Sequence, residues 1–71
     1  MKRISLRDAR RQRKPPMTQV VLAARMGKPQ NYISRLENGL TRPAFADVLT
    51  LAEILDVEPL RLTFPKLVED R

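Results

Sequence analysis

The chain has 71 residues, a formal net charge of +6, no cysteine and no histidine. That size allows one small domain with a limited core. The missing residue types exclude disulfides and thiolate metal ligands and remove the usual general base near neutral pH.

A first helix is expected from about Ser5 to Arg13, with Ser5 as N-cap and Asp8 in the favourable first turn. Leu6 and Ala9 share its apolar face, and Pro15-Pro16 ends it, because a residue before proline avoids helical geometry. Met17 should then pack inward and Thr18 cap a second helix, TQVVLAARM, stopped by Gly27. Leu22, Ala23 and Met26 mark its buried face. A turn at Lys28-Pro29 leads into a third helix running to about Asn38, which Gly39 stops. Pro43 opens a fourth, roughly Ala44 to Leu55, in which Phe45, Val48, Leu49, Ala52 and Leu55 repeat at helical spacing. A short fifth helix is expected at about Pro59 to Leu62. No period-two alternation suggests a sheet. The expectation is an all-α, five-helix single domain over 1–71, with its core at about 4–64 and a flexible tail at 65–71.

The charge is unevenly placed. Residues 1–14 hold seven bases and one acid, residues 15–42 carry net +3, and residues 43–71 carry net −3. A basic balance in one part of a chain points to an anionic partner, nucleic acid foremost. No apolar run is long enough to span a bilayer, and the basic N-terminus lacks the apolar run of a signal peptide. A cytoplasmic protein with no membrane partner is expected.

The third helix divides sharply. With Gln30 at ~0° on a helical wheel, Ser34, Asn31 and Arg35 fall near ~40°, ~100° and ~140°. Tyr32, Leu36 and Ile33 fall near ~200°, ~240° and ~300°. Surface arcs are usually mixtures of Lys and Glu. This arc offers Gln, Asn, Ser and Arg, the groups that bond adenine at N6/N7 and guanine at O6/N7 in a major groove. The second helix, the turn at Gly27 and the third helix together make a helix-turn-helix. Thr18-Gln19 supplies a helix N-terminus and an amide suited to a phosphate.

The run Thr18-Gln19, Leu22-Ala23, Gly27, Ile33-Ser34-Arg35-Leu36-Glu37-Asn38-Gly39 and Pro43, continued by Val48, Leu51-Ala52, Leu55 and Val57, closely resembles the Cro/CI-type (XRE) helix-turn-helix family, which includes lambdoid phage repressors. The resemblance covers Met17 to about Leu62. It implies a lambda-repressor-like fold and a sequence-specific DNA-binding transcriptional regulator whose third helix enters the major groove. Carried over position by position, it makes Gln30, Asn31, Ser34 and Arg35 base-contacting. Thr18, Gln19, Thr41 and Arg42 become phosphate-contacting, with Lys28 and Tyr32 as weaker candidates; packing is the alternative for Tyr32. It pairs Glu37 with an arginine of the first helix, Arg10 ahead of Arg11. It implies a homodimer on a palindromic operator, no cofactor and no metal. Leu60, Leu62, Phe64, Leu67 and Val68 are the apolar candidates for the dimer contact, with Leu62 assigned to the core.

Two features depart from the family pattern. RKPP looks like an insertion of about two residues before Thr18, and Val20-Val21 stands where polar residues are common. An exposed Val21 and the acidic C-terminal part support a second reading, a protein-interaction module on the same fold, such as an antitoxin or a phage protein binding host machinery. An enzyme is disfavoured: no two carboxylates form a convincing pair, and no cluster of oxygen ligands is visible.

Overall fold

A computed structural model of the chain describes residues 2–67. In chain order its elements are β1 (Ile4–Ser5), α1 (Leu6–Gln12), α2 (Gln19–Met26), α3 (Gln30–Glu37), α4 (Phe45–Leu55), a 3-10 turn at Pro59–Arg61, and β2 (Leu62–Thr63).

The helix boundaries follow from local chemistry. The Ser5 hydroxyl accepts the Asp8 N–H at 3.1 Å, so one of the orphan donors of α1 is satisfied. Thr18 does the same for the Val21 N–H of α2, again at 3.1 Å. Gly27 closes α2 at φ 71°, a left-handed geometry that glycine adopts at little cost. Between α1 and α2 the RKPP segment folds back on α1. The Arg10 carbonyl accepts the N–H groups of both Arg13 and Met17, which returns the chain to register for Thr18.

One cluster of side chains forms the centre. Leu6 and Ala9 from α1, Leu22 and Ala23 from α2, Ile33 and Leu36 from α3, and Leu51 and Leu55 from α4 meet there with Met17 and Leu62. Ile33 and Leu36 are fully buried, so the apolar arc of α3 is fastened along its whole length.

The structure corrects three expectations. Among the described residues there are four α-helices, not five. The segment after α4 makes only a three-residue 3-10 turn, because Leu62–Thr63 extends to pair in parallel with Ile4–Ser5 (Ile4 with Leu62, Ser5 with Thr63). Two-residue strands are too short to leave an alternating pattern, so this pairing gave no sequence signal. The buried face of α4 is also rotated. Leu51, Ala52 and Leu55 enter the core, while Phe45 is 77% exposed and Leu49 also faces out. Only Asp47, Thr50 and Glu53 of FADVLTLAEIL are polar, so its apolar arc is wider than the buried face and spacing alone did not say which part of it turns inward. Leu62 is core, as expected, and Phe64 packs half-buried against it, which takes both away from an exposed dimer surface.

Gly39 occupies a tighter place than Gly27. Both have positive φ, but a Cβ on Gly39 would lie 2.6 Å from the Lys66 carbonyl oxygen, whereas one on Gly27 would meet nothing within 4 Å. Gly27→Ala should therefore carry only the left-handed strain, about 1 kcal/mol, or a Tm lower by about 4–8 °C. Gly39→Ala should fall further, because the Pro65–Lys66 backbone must also move. Equal Tm losses in thermal melts followed by circular dichroism would contradict the close approach.

Candidate nucleic-acid interface

The last residue of α3, Glu37, is the best-partnered side chain among the described residues. Arg10 of α1 donates to it twice, Nε to Oε2 at 2.8 Å and Nη2 to Oε1 at 3.1 Å. Gln19 of α2 donates its Nε2 to Oε1 at 3.0 Å, and Arg7 its Nε to Oε1 at 3.3 Å. One carboxylate thus joins α1, α2 and α3. Arg10 spends its remaining fork on the Met17 carbonyl, Nη1 to O at 3.0 Å, which ties the RKPP segment into the same network. Arg11 is exposed and makes no such contact.

Burial by itself would raise the Glu37 pKa. The hydrogen bonds from Arg10 and Gln19, the Arg10 charge and the Arg7 bond outweigh it and hold the carboxyl below its ordinary value. A carboxylate with a depressed folded-state pKa adds stability in full above its unfolded pKa, about 4.3. That stability is lost as pH falls from there through the folded value. The Tm should therefore decline steeply below about pH 4.3, and Glu37→Gln should flatten the decline. Parallel Tm-against-pH curves for the two proteins would contradict this.

The polar arc of α3 lies on the opposite side from Ile33 and Leu36. Gln30, Asn31 and Arg35 are exposed and Ser34 is half-exposed. Two of them are held by neighbours. Gln30 donates its Nε2 to the Gln19 Oε1 at 3.4 Å, so Gln19 links Glu37 to the start of α3. Asn38 donates its Nδ2 to the Ser34 carbonyl at 2.8 Å and to the Ser34 hydroxyl at 3.3 Å. No side-chain bond restrains Arg35 among the described residues, and its guanidinium keeps all its donors. Thr41 and Arg42 follow Gly39 in the turn beyond α3, Thr41 half-exposed and Arg42 exposed.

A helix-turn-helix family model matches residues 6–62 of the chain. The chain belongs to the Cro/CI-type (XRE) helix-turn-helix family. No curated protein and no solved structure matches it. Membership in this family implies DNA binding, and the family is typically non-enzymatic.

Within this helix-turn-helix, α2 and α3 are the paired helices and Gly27 the turn between them. The structure turns the Gln19 amide toward Glu37 and Gln30, which leaves the N–H groups that open α2, together with Thr18, as the outward donors. Tyr32 is tied inward. Its hydroxyl donates to Asp47 Oδ2 at 2.5 Å, and burial, then the Asp47 bond and charge, push its pKa up to about 12. A phosphate would have to displace Asp47 to take that proton, so the geometry favours the packing role. Lys28 stands with its Nζ 5.4 Å from the Tyr32 ring centre, a cation–π distance that leaves the ammonium solvated.

Three residues have supporting roles that the sequence did not assign. Arg7 lies three positions before Arg10, hence on the same face of α1, and that spacing could have found it. Asn38 could have been found as the residue four after Ser34. Asp47 gave no signal, since its pairing with Tyr32 depends on the crossing of α3 and α4. Among the described residues no group of three or more His, Cys, Asp or Glu is placed to hold a metal ion, and no helix is long and apolar enough to cross a membrane.

Proposed function

We propose that the protein is a sequence-specific DNA-binding transcriptional regulator of the cytoplasm that lays α3 in the major groove. In this reading Gln30, Asn31, Ser34 and Arg35 meet base edges. Thr18, the α2 N-terminus with Gln19, Lys28, Thr41 and Arg42 meet backbone phosphates. The observation that carries it is the division of α3: an arc of Gln, Asn, Ser and Arg faces out, on a helix whose Ile33 and Leu36 are fully buried and whose end is tied to α1 and α2 through Glu37. Phosphate contacts set position and base contacts set specificity.

A homodimer on a palindromic operator supplies the affinity that one small domain lacks, with half-sites about 34–36 Å apart. Of the apolar candidates at the C-terminal end, Leu60, 81% exposed, and the exposed Leu67 remain available for that contact. Val68 lies outside the described residues. The exposed Val20 and Val21 favour the second reading, a module that captures another protein.

Selection of bound duplexes from a random pool, followed by sequencing, separates the two. The regulator enriches a palindromic motif; the module enriches nothing.

A further inference from the structure

The two ends of the described chain meet beside the turn that follows α3. The β1–β2 pairing sets Ile4 against Leu62, and the Arg61 Nε donates to the Lys2 carbonyl at 2.6 Å, so Arg3 is held between two fixed points. On the other side, the Pro65–Lys66 backbone lies directly against Gly39. The result is a cleft of about 410 Å³ lined by Arg3, Thr41, Arg42, Phe64, Pro65 and Lys66, among others. Three cations from three separate parts of the chain line it, and among the described residues no carboxylate does. Among the described residues the ion pairs are those of Arg7 and Arg10 with Glu37, so none of these three cations is neutralised there.

Like charges are not gathered without cost. Three cations around one concave site raise the local potential, and a bound anion offsets that repulsion. Two guanidiniums and an ammonium suit phosphate oxygens, the guanidiniums as forks and the ammonium as a point charge. The Thr41 hydroxyl adds a donor. Phe64 and Pro65 give the floor an apolar wall, which lowers the competition from water.

We infer that Arg3, Arg42 and Lys66 form one phosphate-binding cleft that receives a backbone phosphodiester of the bound DNA, so that both chain ends clamp the duplex beyond α3. This rests on the DNA-binding reading above and adds Arg3 and Lys66 to its contacts. The clamp is independent of base sequence.

The test measures affinity for the selected duplex and for a random duplex across a salt series, with wild type, Arg3→Ala, Lys66→Gln and Arg11→Ala. Arg11 is an exposed arginine of α1 outside the cleft and serves as the charge control. The cleft neutralises one phosphate, so losing it altogether lowers the magnitude of the log–log salt slope by about 0.9, about an eightfold loss of affinity at 0.1 M salt, and each single cleft variant should show a measurable part of that. The loss should be equal on both duplexes, with Tm unchanged and Arg11→Ala close to wild type. Arg3→Lys should retain most of the affinity. Cleft variants with wild-type slopes, or an equal loss in Arg11→Ala, would overturn the cleft while the regulator reading stands. Wild type that binds no duplex would instead remove that reading. Titration with inorganic phosphate, followed by NMR, supplies the second arm. Saturable binding that the cleft variants abolish without changing DNA affinity would make the site one for a free anion and overturn the clamp.

Discussion

Glu37→Ala is expected to lower stability by about 3–5 kcal/mol, because it leaves the buried Arg10 guanidinium without its counter-charge. A domain of this size has roughly 4–11 kcal/mol in total, so the loss is at least about a quarter of it. The Tm should fall by at least about 12 °C. The neighbouring substitutions grade the effect. Arg10→Ala should be comparable, since it strands a carboxylate whose side chain has no solvent exposure. Arg7→Ala should cost no more than about 1 kcal/mol, because that side chain is 45% exposed and its bond is the longest of the four. Thermal and urea denaturation of the three variants checks the order. A Glu37→Ala melt close to wild type would show that the network contributes little.

Arg35→Ala is expected to do the opposite: fold normally and bind badly. No side-chain bond holds Arg35 among the described residues, and it is exposed, so its removal should leave the Tm within a few degrees of wild type. The loss of one two-pronged base contact costs about 1–3 kcal/mol, or about 5- to 150-fold in affinity. Preference at one base pair of the selected motif should relax. A competition assay against single-base variants of the motif measures both. An equal loss on every sequence would make Arg35 a phosphate contact.

The contrast between these residues shows what the sequence could express. Caps and stops were legible because they are local: Ser5, Thr18, Gly27 and Gly39 act on backbone groups within a few positions. The division of α3 was legible because helical periodicity separates Gln30, Asn31, Ser34 and Arg35 from Ile33 and Leu36. The Glu37 network was legible in part. The acid was conspicuous among bases, but the inward turn of the Gln19 amide and the participation of Arg7 depend on how α1 and α2 are set against α3. Contacts between distant segments left no local trace. The Ile4–Ser5 strand, its pairing with Leu62–Thr63 and the approach of Lys66 to Gly39 are properties of the closed chain. The inner face of α4 was obscured for a different reason: with only Asp47, Thr50 and Glu53 polar, its apolar arc is wider than the face that packs.

Base reading by α3 in the major groove is what separates a specific regulator from a general DNA binder. Replacing each purine of the selected duplex in turn by its 7-deaza analogue tests it most directly, because this removes the major-groove N7 acceptor and leaves the minor groove and the base pairing intact. Affinity should fall by about 1–3 kcal/mol at particular purines in each half-site, with no further loss for Arg35→Ala at the purine that Arg35 meets. Undiminished binding to every 7-deaza duplex would contradict it.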